Sequence, residues 1–124
     1  MSGIILLIDD DDAALLTLAA LLEDAGFTVH TATDLESATT ELEAGVPFDL
    51  VITDHHLGHD DGVMLAPLVR RLHPHASLAI CSGSGPPNEL DEIDAWLIKA
   101  EAPERTVARV RALVEDAVRR AAGA

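Results

Sequence analysis

The sequence has a single cysteine, no tyrosine, two phenylalanines, one tryptophan, and no lysine or arginine before Arg70. The lone Cys81 rules out an intramolecular disulfide, and no four Cys and His residues have structural-zinc spacing, so a reducing, cytoplasmic setting fits best. With so few aromatics, the core must come from Leu, Val, Ile and Ala, which suits helices packed on a buried sheet. The apolar run Ile4 to Ile8 has no basic segment before it and ends in four aspartates, so it is neither a signal peptide nor a membrane span. The first 69 residues hold 14 acidic side chains and no Lys or Arg, within a net charge of −14. Nucleic acid and anionic membrane are therefore poor partners.

What is present points to one domain over residues 1–124, since 124 residues at 48% hydrophobic content can bury a sizeable core. Apolar runs alternate with stretches of helical period, as in βαβ units around a parallel sheet. Strands are expected at Ile4 to Ile8, Thr28 to Ala32, Leu50 to Thr53, Leu78 to Cys81 and Ala95 to Ile98. Helices are expected from Ala13 to Ala25, after the cap Asp34, from Val63 to Leu72 with Pro67 bending it or delaying its start, and from Pro103 to Ala121. The segment between Ser82 and Ala95 has room for little more than one helical turn. The expected fold is a doubly wound α/β domain of flavodoxin-like type, with a five-stranded parallel sheet in the order 2-1-3-4-5 and a shortened or missing fourth helix.

In such folds the ligand site lies beyond the carboxyl ends of the strands. Asp9 and Asp10 follow the first strand, Asp54 the third, Ser82 the fourth and Lys99 the fifth. The strand order makes the first and third strands neighbours, which brings Asp10 and Asp54 face to face. Three converging carboxylates repel unless a cation joins them. Mg²⁺ suits them, because it takes oxygen ligands and commonly bridges one or two carboxylates to a phosphate. An aspartate can attack phosphorus to give an acyl phosphate, and a Ser hydroxyl and a Lys ammonium are suitable donors to the phosphoryl oxygens.

These elements resemble the receiver domains of two-component response regulators over essentially the whole chain from Ile4 to the final helix. Ile8-Asp9-Asp10 resembles the family's acidic pair, Ile52-Thr53-Asp54 its phosphoacceptor strand and Asp61-Gly62 the opening of its third helix. Ser82 falls at its Ser/Thr switch position, and Lys99 at its lysine, with Trp96 where an aromatic side chain changes orientation on activation. The resemblance implies that a histidine kinase or histidine phosphotransfer protein donates a phosphoryl group to Asp54. It further implies that Asp9, Asp10, Asp54 and the His56 backbone carbonyl hold Mg²⁺, and that Ser82, the Gly83 amide and Lys99 hold the phosphoryl oxygens. A self-phosphorylating and slowly self-dephosphorylating switch or relay, rather than a turnover enzyme, is the activity implied.

The sequence departs from the family pattern in three places. Ala100 follows Lys99 where a Pro is usual, the interval from Ser82 to Lys99 is short and rich in Gly and Pro, and Gly58 replaces a Pro four residues after Asp54, which should loosen that loop. These departures favour a rival reading, a receiver-fold module that binds protein without regulated phosphorylation. A phosphatase with an aspartyl-phosphate intermediate would need a second acid two residues after the nucleophile, and His56 stands there. His55, His56 and His59 are read as solvated loop residues pointing different ways, and His30, His73 and His75 as lacking evident partners. Asp11 and Asp12 are read as helix caps, Asp60 as a surface residue, and Cys81 as a core residue with a raised pKa. The end of the chain, Arg119 to Ala124, leaves no room for an output module, so the polypeptide is expected to act through a partner.

Overall fold

The computed structural model describes residues 3–83, 93–99 and 101–123. In chain order, β1 (Ile4–Ile8) leads to α1 (Asp12–Asp24), β2 (Thr28–Ala32), α2 (Leu35–Glu43) and β3 (Leu50–Asp54). A short hairpin follows, β4 (His56–Leu57) and β5 (Asp60–Asp61), then a 3₁₀ turn at Gly62–Leu65 that runs into α3 (Ala66–Leu72). The chain continues with β6 (Ser77–Ser82), β7 (Ala95–Ile98) and α4 (Pro103–Gly123).

The main sheet is parallel with order β2-β1-β3-β6-β7, the expected 2-1-3-4-5 arrangement once the hairpin is set aside. Side-chain alternation along the strands divides the core in two. Ile5, Leu7 and Ile52 face Leu15, Leu22, Val110 and Val114 of α1 and α4, whereas Leu6, Ile8 and Val51 face Leu42, Leu65 and Val69 on the other side. Both faces are covered, which is why these strands read as continuous aliphatic runs. The expected short fourth helix and the Lys99–Ala100 junction lie outside the described residues.

Local chemistry sets the element ends. Asp11 caps α1 by accepting from the amides of Ala13 and Ala14 at 3.0 and 3.3 Å. Asp34 and Ser37 form a reciprocal capping box on α2. Pro67 delays the α-helix, as expected: the chain first makes a 3₁₀ turn and becomes α-helical at Ala66, leaving Pro67 in the first turn, where its missing N–H costs nothing. Arg70 donates to Asp94 at 2.8 Å and to the Ala76 carbonyl at 3.0 Å, while Asp94 accepts from the Leu78 amide at 2.7 Å, fastening the start of β7 beside β6.

Several histidines have partners that the sequence did not disclose. His73 places a ring nitrogen 2.8 Å from the Leu42 carbonyl, and both His30 and His73 pack edge-on against Phe48. The His75 carbonyl accepts from Arg120 at 3.2 Å. His55 and His56 do not diverge; their rings lie 4.2 Å apart with a 30° tilt.

Candidate functional site

The carboxyl ends of the parallel strands converge on one acidic crevice. Asp54 is the last residue of β3, and Asp9 follows β1 with its amide bonded to the Ala32 carbonyl at 3.1 Å, which continues the β1–β2 ladder. Asp9, Asp10 and Asp54 each offer a carboxylate oxygen, and these atoms lie within 4.8 Å of one another. Asp9 and Asp54 are 9% and 8% exposed, while Asp10 is open to solvent.

Lys99 joins the group from β7. Its amide donates to the Ser82 carbonyl at 2.9 Å, so the residue after the strand keeps parallel register, and its Nζ lies 2.9 Å from Asp54 Oδ1 and 3.8 Å from Asp9 Oδ2. Burial pushes the Asp9 carboxyl above its usual range, with the Asp54 and Asp10 charges adding to the rise; the Asp11 amide, 3.0 Å from Asp9 Oδ1, and Lys99 offset only part of it. Burial pulls the Lys99 ammonium the other way, but the hydrogen bond and charge of Asp54, with Asp9, outweigh it and hold Lys99 above its ordinary value.

Close packing fixes the backbone of Asp54. Thr53 Oγ1 donates to the Asp54 carbonyl at 3.1 Å, and a Cβ on Gly62 would overlap that same carbonyl oxygen and the Thr53 hydroxyl. Glycine is therefore required at Gly62 by space. The Asp-Gly pair noticed in the sequence thus has two roles, since Asp61 caps the 3₁₀ turn through the Val63 amide at 2.9 Å and Gly62 lets that turn lie against β3.

Ser82 is buried at the end of β6 and Gly83 is exposed just beyond it. Trp96, half-buried on β7, meets His55 edge-on with ring centroids 5.1 Å apart, and His55 Nε2 lies 3.4 Å from Asp61. Among the described residues the potential metal ligands that come together are the three aspartates, and none of His55, His56 or His59 joins them. Cys81 is half-buried, and burial more than the nearby carboxylates raises its thiol to about 11, so it is an inert wall residue. An apolar cleft of about 390 Å³ adjoins the site between α1 and the start of α4, walled by Leu18, Leu21 and Leu97 with Asp9 and Lys99 at its rim.

Sequence reasoning missed the hairpin. The loop expected to be slack at Gly58 is a two-stranded turn in which Gly58 has φ 64° and its amide donates to Asp10 Oδ2 at 2.9 Å. Gly58 itself was the signal: a residue free to take a left-handed conformation, where a Pro is locked at about −65°.

The donor set is three hard carboxylate oxygens, two of them on buried side chains, which fits an oxygen-seeking divalent cation such as Mg²⁺. No described helix is long and apolar enough to cross a membrane.

No curated protein matches the sequence. Among solved structures, a CheY-like response regulator receiver domain protein of Methanospirillum hungatei superposes with TM-score 0.83 at 21% identity, covering 96% of this chain and 98% of that one. A response regulator of Thermotoga maritima in complex with Mg²⁺ and BeF gives 0.79 at 22% identity, with 90% and 98% covered. One of Burkholderia pseudomallei, with a phosphorylated aspartic acid, a calcium ion and citrate, gives 0.75 at 25% identity, with 89% and 71% covered. The model of the response regulator receiver domain matches residues 5–110, which take in β1 from Ile5, every later described strand and the acidic crevice, and the chain belongs to that family.

Proposed function

We propose that the protein is a phosphoryl-accepting response regulator of two-component signalling: Asp54 takes a phosphoryl group from a histidine kinase or histidine phosphotransfer protein, and the modified domain acts as a switch or relay. The observation that carries this reading is the contact of Lys99 with Asp54 at 2.9 Å inside a group of three converging carboxylates. Asp9, Asp10 and Asp54, with the His56 carbonyl, would hold Mg²⁺, which when bound neutralises charge on the transferred oxygens.

The residues of the chain divide the remaining work. A carboxylate oxygen of Asp54 attacks the phosphorus of a phosphohistidine; the new O–P bond forms as the N–P bond breaks, and its electron pair returns to the imidazole, which takes up a proton. Lys99 then exchanges its Asp54 oxygen for a phosphoryl oxygen, with the Ser82 hydroxyl and the Gly83 amide donating to the others. Attack of water on the phosphorus returns Asp54 and inorganic phosphate, so the chemistry resets the domain and turns over no separate substrate. Trp96 and its neighbour His55 stand beside this region and would report its state.

Support for a protein donor comes from α1. The stretch Ala13 to Leu22 carries no charge in this strongly acidic chain, Leu16 is 69% exposed there, and the apolar cleft leads from the helix to Asp9 and Lys99. A cytoplasmic location follows from such a donor.

Intact-protein mass after treatment with acetyl phosphate, with and without Mg²⁺, tests the reading. A Mg²⁺-dependent gain of one base-labile phosphoryl group that Asp54→Asn lacks is the expected result. A folded protein that gains nothing would replace this reading with the phosphorylation-independent binding module.

A further inference from the structure

The β4–β5 hairpin begins two residues after Asp54 and folds back toward the loop after β1. Its strands pair His56 with Asp61 and Leu57 with Asp60, leaving Gly58 and His59 as a two-residue turn. Two-residue hairpin turns of the primed types need φ above zero at their first central residue, and Gly58 supplies it at 64°. In that conformation its N–H points out of the hairpin to Asp10 Oδ2, 2.9 Å away and 48 residues earlier in the chain.

Asp10 is the exposed member of the acidic group. An exposed aspartate samples several side-chain rotamers in water, and only some of them aim an oxygen at Asp9 and Asp54. A hydrogen bond to one oxygen restricts the rotamer and leaves the other oxygen to bind. Metal ligands are commonly oriented by such outer partners, whose loss typically weakens metal binding about 10- to 100-fold.

We propose that the Gly58 backbone amide is a positioning group for Mg²⁺ binding, holding Asp10 in its ligating orientation through Oδ2. The inference rests on reading the three aspartates as the Mg²⁺ site. It assigns the replacement of proline by glycine a definite consequence: a proline has no N–H to donate and cannot adopt φ 64°, so this tether is closed to proline and open to glycine. The hairpin would then serve the cation site twice, through the His56 carbonyl as a ligand and through the Gly58 amide on Asp10.

The test compares Gly58→Pro, which removes the amide, with Gly58→Asn, which keeps it and tolerates a left-handed conformation. Mg²⁺ affinity is read by titration calorimetry and by Trp96 fluorescence, and thermal melting is measured alongside. Gly58→Pro should weaken Mg²⁺ binding about tenfold, the lower end for an exposed partner, and also lower the metal-free melting temperature because the turn must leave φ 64°, while Gly58→Asn should keep the affinity within about twofold. Equal affinity in Gly58→Pro and the parent would overturn the proposal, as would a loss in Gly58→Asn matching that in Gly58→Pro. Should Gly58→Pro not fold, amide NMR decides: in Asp10→Ala the Gly58 proton resonance should move upfield and its exchange protection fall, and an unmoved resonance would overturn the assignment. Absence of Mg²⁺ binding in the parent protein is a different failure, that of the cation site itself.

Discussion

Asp9 and Lys99 are both held above their ordinary pKa values, Asp9 chiefly by burial and Lys99 by Asp54 and Asp9 against burial, with opposite consequences for stability at neutral pH. Asp9 is raised above 3.8, so the folded state holds its proton longer than the unfolded chain. Ionising it costs stability as pH rises through its folded value, and the cation-free protein carries that cost at neutral pH. Lys99 is raised above 10.5; its contribution is complete below that value and is lost as pH rises through its folded pKa. A divalent cation reverses the Asp9 cost. Mg²⁺ at about 100 times its Kd should stabilise the protein by about 2.7 kcal/mol near neutral pH, and the gain should shrink once the pH is lowered through the raised Asp9 value and Asp9 takes up a proton. Thermal melts with and without Mg²⁺ at the two pH values check this; a gain that does not change with pH would show that Asp9 is not a ligand. A second residue-scale prediction concerns Gly62. The groups that a Cβ would meet include the backbone carbonyl of Asp54, which cannot swing aside, so Gly62→Ala should cost roughly 1–3 kcal/mol and slow phosphorylation of Asp54 by acetyl phosphate. Denaturant unfolding and mass spectrometry measure the two effects.

At the scale of elements, stability and chemistry separate at the start of α1. The Asp11 side chain caps the helix, whereas its backbone amide serves Asp9. Asp11→Ala removes the first and keeps the second, so it should lose about 1 kcal/mol of stability with Mg²⁺ affinity preserved. A large drop in affinity would mean that the cap also sets the acidic loop. Asp34, the cap of α2, has a carboxyl lowered by the Ser37 amide and hydroxyl, so its contribution is present above 3.8 and is lost as pH falls through the folded value. The caps Asp11 and Asp34 were legible in the sequence as Asp residues just before apolar periodic runs, whereas Asp12, also read as a cap, is the first residue of α1. The first strand was legible for a similar reason, since burial on both faces leaves an uninterrupted aliphatic run from Ile4 to Ile8, and the partly buried edge strands also match the structure, from Thr28 to Ala32 and from Ala95 to Ile98. Ends that depend on a neighbouring strand were missed by a residue, as at Asp54, which pairs with Cys81, and at Ser77 and Ser82. The acidic crevice was legible because topology alone brings strand ends together. What was not legible was set by tertiary contact or by backbone groups: the stacked His55 and His56 rings, the Arg70–Asp94 clasp, and the hairpin whose Gly58 amide reaches Asp10. Backbone amides have no sequence signature of their own, so a glycine where proline is usual suggested slackness and in fact marks a tether.

For the whole molecule, the uneven charge matters more than its total. Among the described residues, Arg70 pairs with Asp94, Arg109 with Glu101 and Arg119 with Asp116, all within the second half of the chain. Among the described residues, Lys99 reaches back to pair with carboxylates of the first half, at Asp54 and Asp9, whereas Arg111 meets that half at the Phe27 ring and the Ala25 carbonyl. Most of the 14 acidic groups before Arg70 are thus balanced by solvent ions, and their mutual repulsion opposes compaction. Simple salt should relieve it, since the screening length falls from about 30 Å at 0.01 M to about 3 Å at 1 M. Melting temperature should therefore rise with NaCl in the parent and in Asp10→Asn alike, because screening acts on the whole surface and removing one charge changes it little. Mg²⁺ at matched ionic strength separates the general effect from the specific one: a further rise in the parent that Asp10→Asn lacks comes from the cation site. If both proteins gain equally, Mg²⁺ acts only as a screening ion, and the three carboxylates are a solvated acidic rim.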